Sequence, residues 1–394
     1  MKKTLLSSLL LLFLCQGVHS QGRLSYYTPT HYLGLFSLET TSARASGMGL
    51  TYLTLDGIDH AFNNPASIGL TNPKISSHLN YANGGQTRIN SHFPFLGLTY
   101  RINEKLNLGF SGFKWIDNQT IWTTDISGSS ISVDKREQNM VSVTGAYEVI
   151  EDLYLGASGV YLYEEGVPGH ITSNDFIVNV GALYEKNVEW IKVGNLTNQK
   201  FRVASSLVNA AMNNRTEQTY EDLLNFRSMI IFLSAGAFYH FSLPLASRLV
   251  EGKKFFDQSS QQLDLGLHLQ FRDELPGKDP YNTQGYTSAF GAGTEAWFFN
   301  TIGLRMGYYF EKRPKGTRPE GGAWVSTDKS GFTWGYGVRL PLYRWSEGQF
   351  PFNTEVNFVT GRILNAIRKD FSHRPPIGEN NFLFSAGLNL QWIP

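Results

Sequence analysis

Strict two-residue alternation recurs along this chain, and it excludes most folds. In "LDLGLHLQFRD" Leu263, Leu265, Leu267, Leu269 and Phe271 share one face, while Asp264, Gly266, His268, Gln270 and Arg272 share the other. "FLFSAGLNLQWIP" repeats the pattern, with Phe382, Phe384, Ala386, Leu388, Leu390 and Trp392 opposite Ser385, Gly387, Asn389 and Gln391. "IGLRMGYYFE" sets Ile302, Leu304, Met306, Tyr308 and Phe310 against Gly303, Arg305, Gly307 and Glu311. A helix cannot sort such a pattern onto two faces, but a strand with one apolar and one polar environment does.

Fourteen such segments are expected, near 75–82, 93–102, 106–116, 139–149, 153–164, 173–184, 188–194, 229–242, 262–272, 286–299, 301–311, 330–343, 351–361 and 382–394. Connections after the even strands are mostly short ("NEK", "IED", "EKN", Asn300, "RWSEG"). Those after the odd strands are mostly long, over 83–92, 117–138, 165–172, 195–228, 273–285, 312–329 and 362–381. Short periplasmic turns and long outer loops are the asymmetry of a transmembrane β-barrel, and an even strand count returns the chain to its starting side. One short-side connection, "PLASRLVEGKKFFDQSSQ", is long and partly helical in spacing; it reads as a surface helix on the periplasmic rim.

Composition agrees with a barrel. The first twenty residues carry Lys2 and Lys3, an apolar run through Leu9–Leu14, and the small or polar Val18 and Ser20 before Gln21. This is the pattern of a cleaved secretory signal, too short to span a bilayer. Cys15 follows Phe13 and Leu14 rather than a small residue, so a lipidated cysteine is not expected. It is also the only cysteine, so no disulfide framework is expected. Losing Lys2 and Lys3 takes the formal charge from +1 to −1, which argues against nucleic acid as a partner. No later stretch holds about eighteen consecutive apolar residues. Glycine (39 residues) and aromatics (14%) are abundant and charged residues sparse (17%), as a lipid-facing barrel requires. The expected class is all-β: a transmembrane antiparallel barrel over 75–394, a signal over 1–20, and an N-terminal hatch or plug over 21–74.

The hatch is read from "SARASGMG" (42–49) and "NNPASIG" (63–69), with Arg44, Gly47, Gly49, Asn63, Asn64 and Pro65 as its key residues. Glycines and Asn-Pro suit a compact, turn-rich plug whose backbone lies close to the wall. A phosphate-loop reading fails, because no Gly-Lys-Ser/Thr follows. These two motifs, together with "GAGTEAWFFNTIGLRMGYYFEKRPKGTR" (291–318), resemble FadL-like outer-membrane proteins, in particular the PorV branch of type IX secretion systems. The sequence departs from that branch at Ala296, in a lengthened 312–329 loop and in the large 195–228 loop.

The resemblance implies a non-enzymatic outer-membrane component that binds secreted cargo, through its C-terminal domain, or the translocon. Extracellular loops would do the binding, with Tyr220, Leu223, Leu224 and Phe226 of "TYEDLLNFR" as an apolar helical face. The alternative implied by the wider family is a transporter of hydrophobic small molecules with a lateral exit. An apolar patch inside the barrel would favour transport. Strands nine to thirteen instead offer Asp264, His268, Glu295, Arg305, Arg339 and Glu355, read as charges that pair with one another and with the hatch. Tyr100, Trp115, Tyr147, Trp297, Phe298, Tyr343 and Trp345 are read as interface girdles. His60, near Asp56 and Asp59, is read as satisfying a loop rather than binding metal. No nucleophile–base–acid set is legible, and neither cofactor nor enzymatic activity is expected.

Overall fold

The computed structural model describes residues 41–85, 91–117, 121–124, 130–133, 136–165, 172–188, 196–212, 232–245, 262–274, 288–312, 316–317, 323–324, 329–365 and 380–392. The expected signal peptide, the 21–40 segment, the connection over 246–261 and the proposed docking residues Tyr220, Leu223, Leu224 and Phe226 lie outside them.

Fourteen antiparallel strands close into one barrel. The first seven in the wall are β1 (Ile75–Gly85), β2 (Ser91–Arg101), β3 (Leu106–Asp117), β6 (Arg136–Ile150), β7 (Leu153–Glu165), β8 (Thr172–Asn187) and β9 (Thr197–Met212). The rest are β10 (Phe232–Pro244), β11 (Gln262–Glu274), β12 (Ser288–Phe298), β13 (Ile302–Lys312), β16 (Lys329–Leu340), β17 (Phe352–Asn365) and β18 (Asn380–Trp392). Strand β1 pairs with β18, for example Leu79 with Leu388, and leaves no free edge. Two short ladders sit in long connections: β4 (Ile121–Thr124) with β5 (Ser130–Val133), and β14 (Gly316–Thr317) with β15 (Ala323–Trp324).

The alternation sorts as the pattern predicts. Leu267, Leu269 and Phe271 are about half exposed on the outer face, whereas His268, Gln270 and Arg272 are buried inside. Leu96, Leu98, Phe110, Val143, Met306 and Phe332 continue the apolar exterior around the barrel. A closed barrel with an apolar outer surface and a polar interior is a transmembrane barrel of the bacterial outer membrane. No described helix is long and apolar enough to cross a membrane; the strands do so.

One feature departs from the sequence reading. The seventh strand is β9, at 197–212, not 188–194; "EKN" closes β8 instead of forming a turn, and much of the expected 195–228 loop is wall. The β2–β3 pairing keeps one register from Ser91↔Asp117 to Arg101↔Asn107, with no pair formed at Phe93 and Pro94. Pro94, which has no N–H to donate, sits in that lapse.

The ends joined by 102–105, 151–152 and 299–301 form the short-turn rim, which is assigned to the periplasm. Single cysteines at Glu104 or Asp152 should therefore escape a membrane-impermeant thiol reagent on intact cells. Cysteines at Thr123 or Thr317 should react. The reverse labelling would invert the barrel.

Candidate functional site

Residues 41–71 lie inside the barrel, and 72–74 join them to the short-turn rim beside Arg101. A single helical turn, α1 (Ala43–Ser46), begins at Ser42, whose hydroxyl accepts from the Ala45 N–H at 3.3 Å. Two 3-10 turns follow, Ile58–His60 and Pro65–Leu70. Asn64 caps the second: Oδ1 accepts from Ala66 N at 3.1 Å, and Nδ2 donates to Leu53 O at 2.9 Å. Pro65 stands at the first position of this turn, where a missing N–H costs nothing. Asn63 is buried beside it.

Two glycine seats receive the hatch backbone. A Cβ on Gly307 would lie 2.1 Å from Gly49 N, one on Gly293 2.3 Å from Met48 O, and one on Gly291 2.4 Å from Gly49 O. Across the lumen, a Cβ on Gly156 would meet Ala66 N at 2.3 Å, and one on Gly181 would meet Asn64 Oδ1 at 2.0 Å. Gly49 itself is in the left-handed region (φ 68°), and Gly47 packs on Val359 and Gly335. Wall side chains then satisfy hatch backbone groups. Thr333 Oγ1 accepts from Gly49 N at 2.8 Å, and Gln270 Oε1 from Tyr52 N at 2.7 Å. Asn107 donates to Ile68 O at 2.7 Å and Arg202 to Thr54 O at 3.0 Å. Irregular backbone at membrane depth is tolerated because the wall supplies these partners.

An ion network locks the same segment. Glu295 accepts from Arg44 at 2.7 and 3.0 Å and from Arg305 at 2.5 Å. Arg305 reaches Glu355 at 3.5 Å, Glu355 accepts from Arg339 at 2.8 Å, and Arg44 also donates to Asp56 at 3.0 Å. Burial opposes the charge on Arg44, but Glu295, Asp56 and Glu355 outweigh it and raise the guanidinium pKa.

Of the six lumen residues expected from sequence, Glu295, Arg305, Arg339 and Glu355 are joined here. Asp264 and His268 stand apart, which corrects the single-cluster reading. Asp264 accepts from Ser242 at 2.5 Å lower on the wall, and His268 stacks on Phe238 (4.4 Å) facing Thr54. Trp297 is likewise no girdle residue. It is buried inside, with the Arg339 guanidinium 3.8 Å from its ring centre. Tyr100, Tyr147, Tyr343 and Trp345 do face outward.

Above the hatch the inner wall changes character, a feature that strands nine to thirteen did not announce. Phe93, Phe95, Phe113, Met140, Leu162 and Phe232 form a buried apolar surface that continues over Ala82, Val160, Ile177 and Val208. Phe62 of the hatch packs edge-on to Phe95 (6.2 Å) and Phe113 (6.5 Å). One level nearer the hatch the inward residues become Ser111, Ser142, Ser158, Asn179, Ser206 and Ser234. The available sequence signal was "HFPFLGL", where alternation lapses because both faces are apolar.

His60 gives the hatch a pH dependence. Burial first, opposed by Asp59, pushes its imidazole down from 6.5 to about 4. The seated hatch therefore holds it neutral, a contribution fully present above about pH 6.5 and lost as pH falls toward 4. A shift of this size corresponds to roughly 3 kcal/mol. Protease accessibility of residues 41–74 should rise between pH 7 and pH 4, and His60→Gln should flatten that rise. An unchanged pH profile in His60→Gln would remove His60 from the account.

No protein-family model matches the chain, and no curated protein does. Several solved structures are similar in fold. The CymD monoaromatic hydrocarbon channel is 11% identical, with a TM-score of 0.46 over 91% of this chain and 99% of that one. The Ralstonia pickettii toluene transporter TbuX is 12% identical, with a TM-score of 0.46 over 91% and 100%. A Pseudomonas aeruginosa FadL homologue is 14% identical, with a TM-score of 0.46 over 89% and 98%.

Proposed function

We propose that this chain is a FadL-like outer-membrane transporter that takes hydrophobic small molecules onto the apolar wall above its hatch. The observation that carries this reading is the inward-facing surface of Phe93, Phe95, Phe113, Met140, Leu162 and Phe232. Ile58, Ala61, Phe62 and Ile68 of the hatch close the lower edge of this surface, and an apolar ligand suits the lumen-facing side chains beyond them.

The type IX reading is less well supported. Its motifs are engaged inside the barrel: Met48 and Gly49 sit on Gly291, Gly293 and Gly307, Arg44 on Glu295, and Asn64–Ala66 on Gly156 and Gly181. They account for a seated hatch; the loop residues expected to bind cargo lie outside the described residues.

Toluene, the substrate named for the similar barrel TbuX, is the first probe. The purified full chain in detergent should bind toluene or a longer hydrocarbon saturably in equilibrium dialysis. Replacing Phe93, Phe95 and Phe113 together with Ser should weaken binding at least tenfold, since a buried Phe contributes about 1.5–3 kcal/mol. Heat-modifiable gel mobility reports the intact barrel. Absence of saturable binding, with secretion components co-purifying instead, would restore the type IX reading.

A further inference from the structure

The β16–β17 connection, 341–351, lies on the short-turn rim and is built unlike the other turns there. A helical turn, α2 (Leu342–Trp345), is followed by a tight reversal through Glu347 (φ 54°) and Gly348 (φ 88°), both left-handed. The segment bonds to itself. Trp345 N donates to Pro341 O at 3.0 Å, Gly348 N to Tyr343 O at 2.9 Å, and Phe350 N to Ser346 Oγ at 2.8 Å. The resulting knuckle leaves Tyr343, Trp345 and Phe350 exposed by 40%, 40% and 53%. Among the described short turns, 102–105 and 151–152 hold no aromatic residue, and Phe299 of 299–301 is buried. Large apolar side chains held exposed together in a fixed turn mark a contact surface.

We infer that this knuckle is an interfacial anchor, seated among the phospholipid headgroups of the periplasmic leaflet rather than in the periplasm. Its surface is continuous with the lipid-facing wall. Phe350 packs edge-on to Phe352 at 6.0 Å, Phe352 pairs with Trp392, and Trp392 is exposed on the outer face. Ile75 and Tyr100, paired with each other and exposed, carry the same row across β1 and β2. Tyr343 and Trp345 lie beyond Leu340, where β16 ends, so the turn itself makes the contact and not only the strand ends of a girdle. The knuckle holds one base and one acid, Arg344 and Glu347, and so has no net charge. A neutral turn with amphipathic rings suits the headgroup layer and not an electrostatic docking face. This inference is independent of what the upper lumen carries.

The test attaches an environment-sensitive fluorophore to Gln349→Cys, which is exposed in the knuckle, and to Glu104→Cys and Asp152→Cys in two other short turns. The full chain, in a Cys15→Ser background, is reconstituted in phosphatidylcholine and in phosphatidylglycerol vesicles. A nitroxide near the top of the lipid acyl chain should quench the Gln349 label severalfold more than the other two, equally in both lipids and at low and high salt. Replacing Tyr343, Trp345 and Phe350 together with Ser should bring that quenching down to the level of the other turns, with heat-modifiable mobility reporting the folded barrel. Quenching at Gln349 no greater than at Glu104 would overturn the anchor without recourse to the triple variant. Undiminished quenching in the folded triple variant would also overturn it. Quenching confined to anionic vesicles or abolished by salt would assign an electrostatic contact instead. Shielding of the label only at high protein-to-lipid ratio, with no lipid quenching, would assign the surface to a second copy of the chain, against the anchor.

Discussion

Gly307→Val is expected to turn a closed barrel into an ion-conducting one in planar bilayers. The position has no room for a side chain: a Cβ there falls 2.1 Å from Gly49 N and 2.2 Å from Met48 C. Both obstructing atoms are backbone, so no rotamer change relieves the clash, and either the hatch or strand β13 must move. The strand is held on both sides, by β12 and β16, through continuous registers. The hatch turn is the softer element, and it should leave its seat. Gly145, which faces open space except for Leu108 at 3.7 Å, is the control; Gly145→Ala should leave the barrel closed. Conductance unchanged in Gly307→Val, with a normally folded barrel, would mean that the hatch does not seal the lumen.

Glu295→Leu should release the hatch by a different route. The substitution removes the shared acceptor of Arg44 and Arg305 and leaves two buried guanidinium groups with weaker partners, Asp56 and Glu355. Removing one member of a buried pair typically costs about 3–5 kcal/mol, because the remaining charge stays desolvated. Limited proteolysis should then cut within 41–74 while the barrel retains its heat-modifiable mobility. Arg339→Leu should do far less, since that side chain is one-third exposed and stands at the end of the network. Equal protease resistance in Glu295→Leu and the native chain would show that glycine seating alone holds the plug.

These two predictions also explain what the sequence made legible. Strand positions were readable wherever lipid and lumen impose opposite demands, as in β11, where Leu267 and Leu269 alternate with His268 and Gln270. Reading failed where the hatch or the apolar inner wall changes those demands. Strand β9 is rich in Ala and Ser ("RVASSLVNAAM"), weak β-formers, while the preceding "VEWIKVG" is strongly β-prone. Small inward residues such as Ala204 are needed there because Leu53 and Ala66 of the hatch pack against them. In β2 the same competition makes both faces apolar, and the inner patch cannot be told from the outer belt by pattern.

The hatch residues were recognisable as close-packed turns, but their seats were not. Nothing local in "GAGTEAWFFNTIGLRMG" says that Gly293 and Gly307 face Met48 and Gly49, more than two hundred residues away. Trp297 illustrates the same limit. A tryptophan at a strand end reads as an interface anchor, and only the pairing of β12 with β13 places it beneath Arg305 and Arg339.

The central claim is that an apolar ligand enters this barrel and meets the wall above the hatch. Uptake of radiolabelled toluene by intact Gram-negative cells lacking other hydrocarbon channels tests it most directly. Cells carrying the native barrel should take up toluene severalfold faster than cells carrying the Phe93→Ser, Phe95→Ser, Phe113→Ser variant, at equal amounts of folded protein in the outer membrane. Uptake indistinguishable between the two, and equal to that of cells with no barrel, would contradict it.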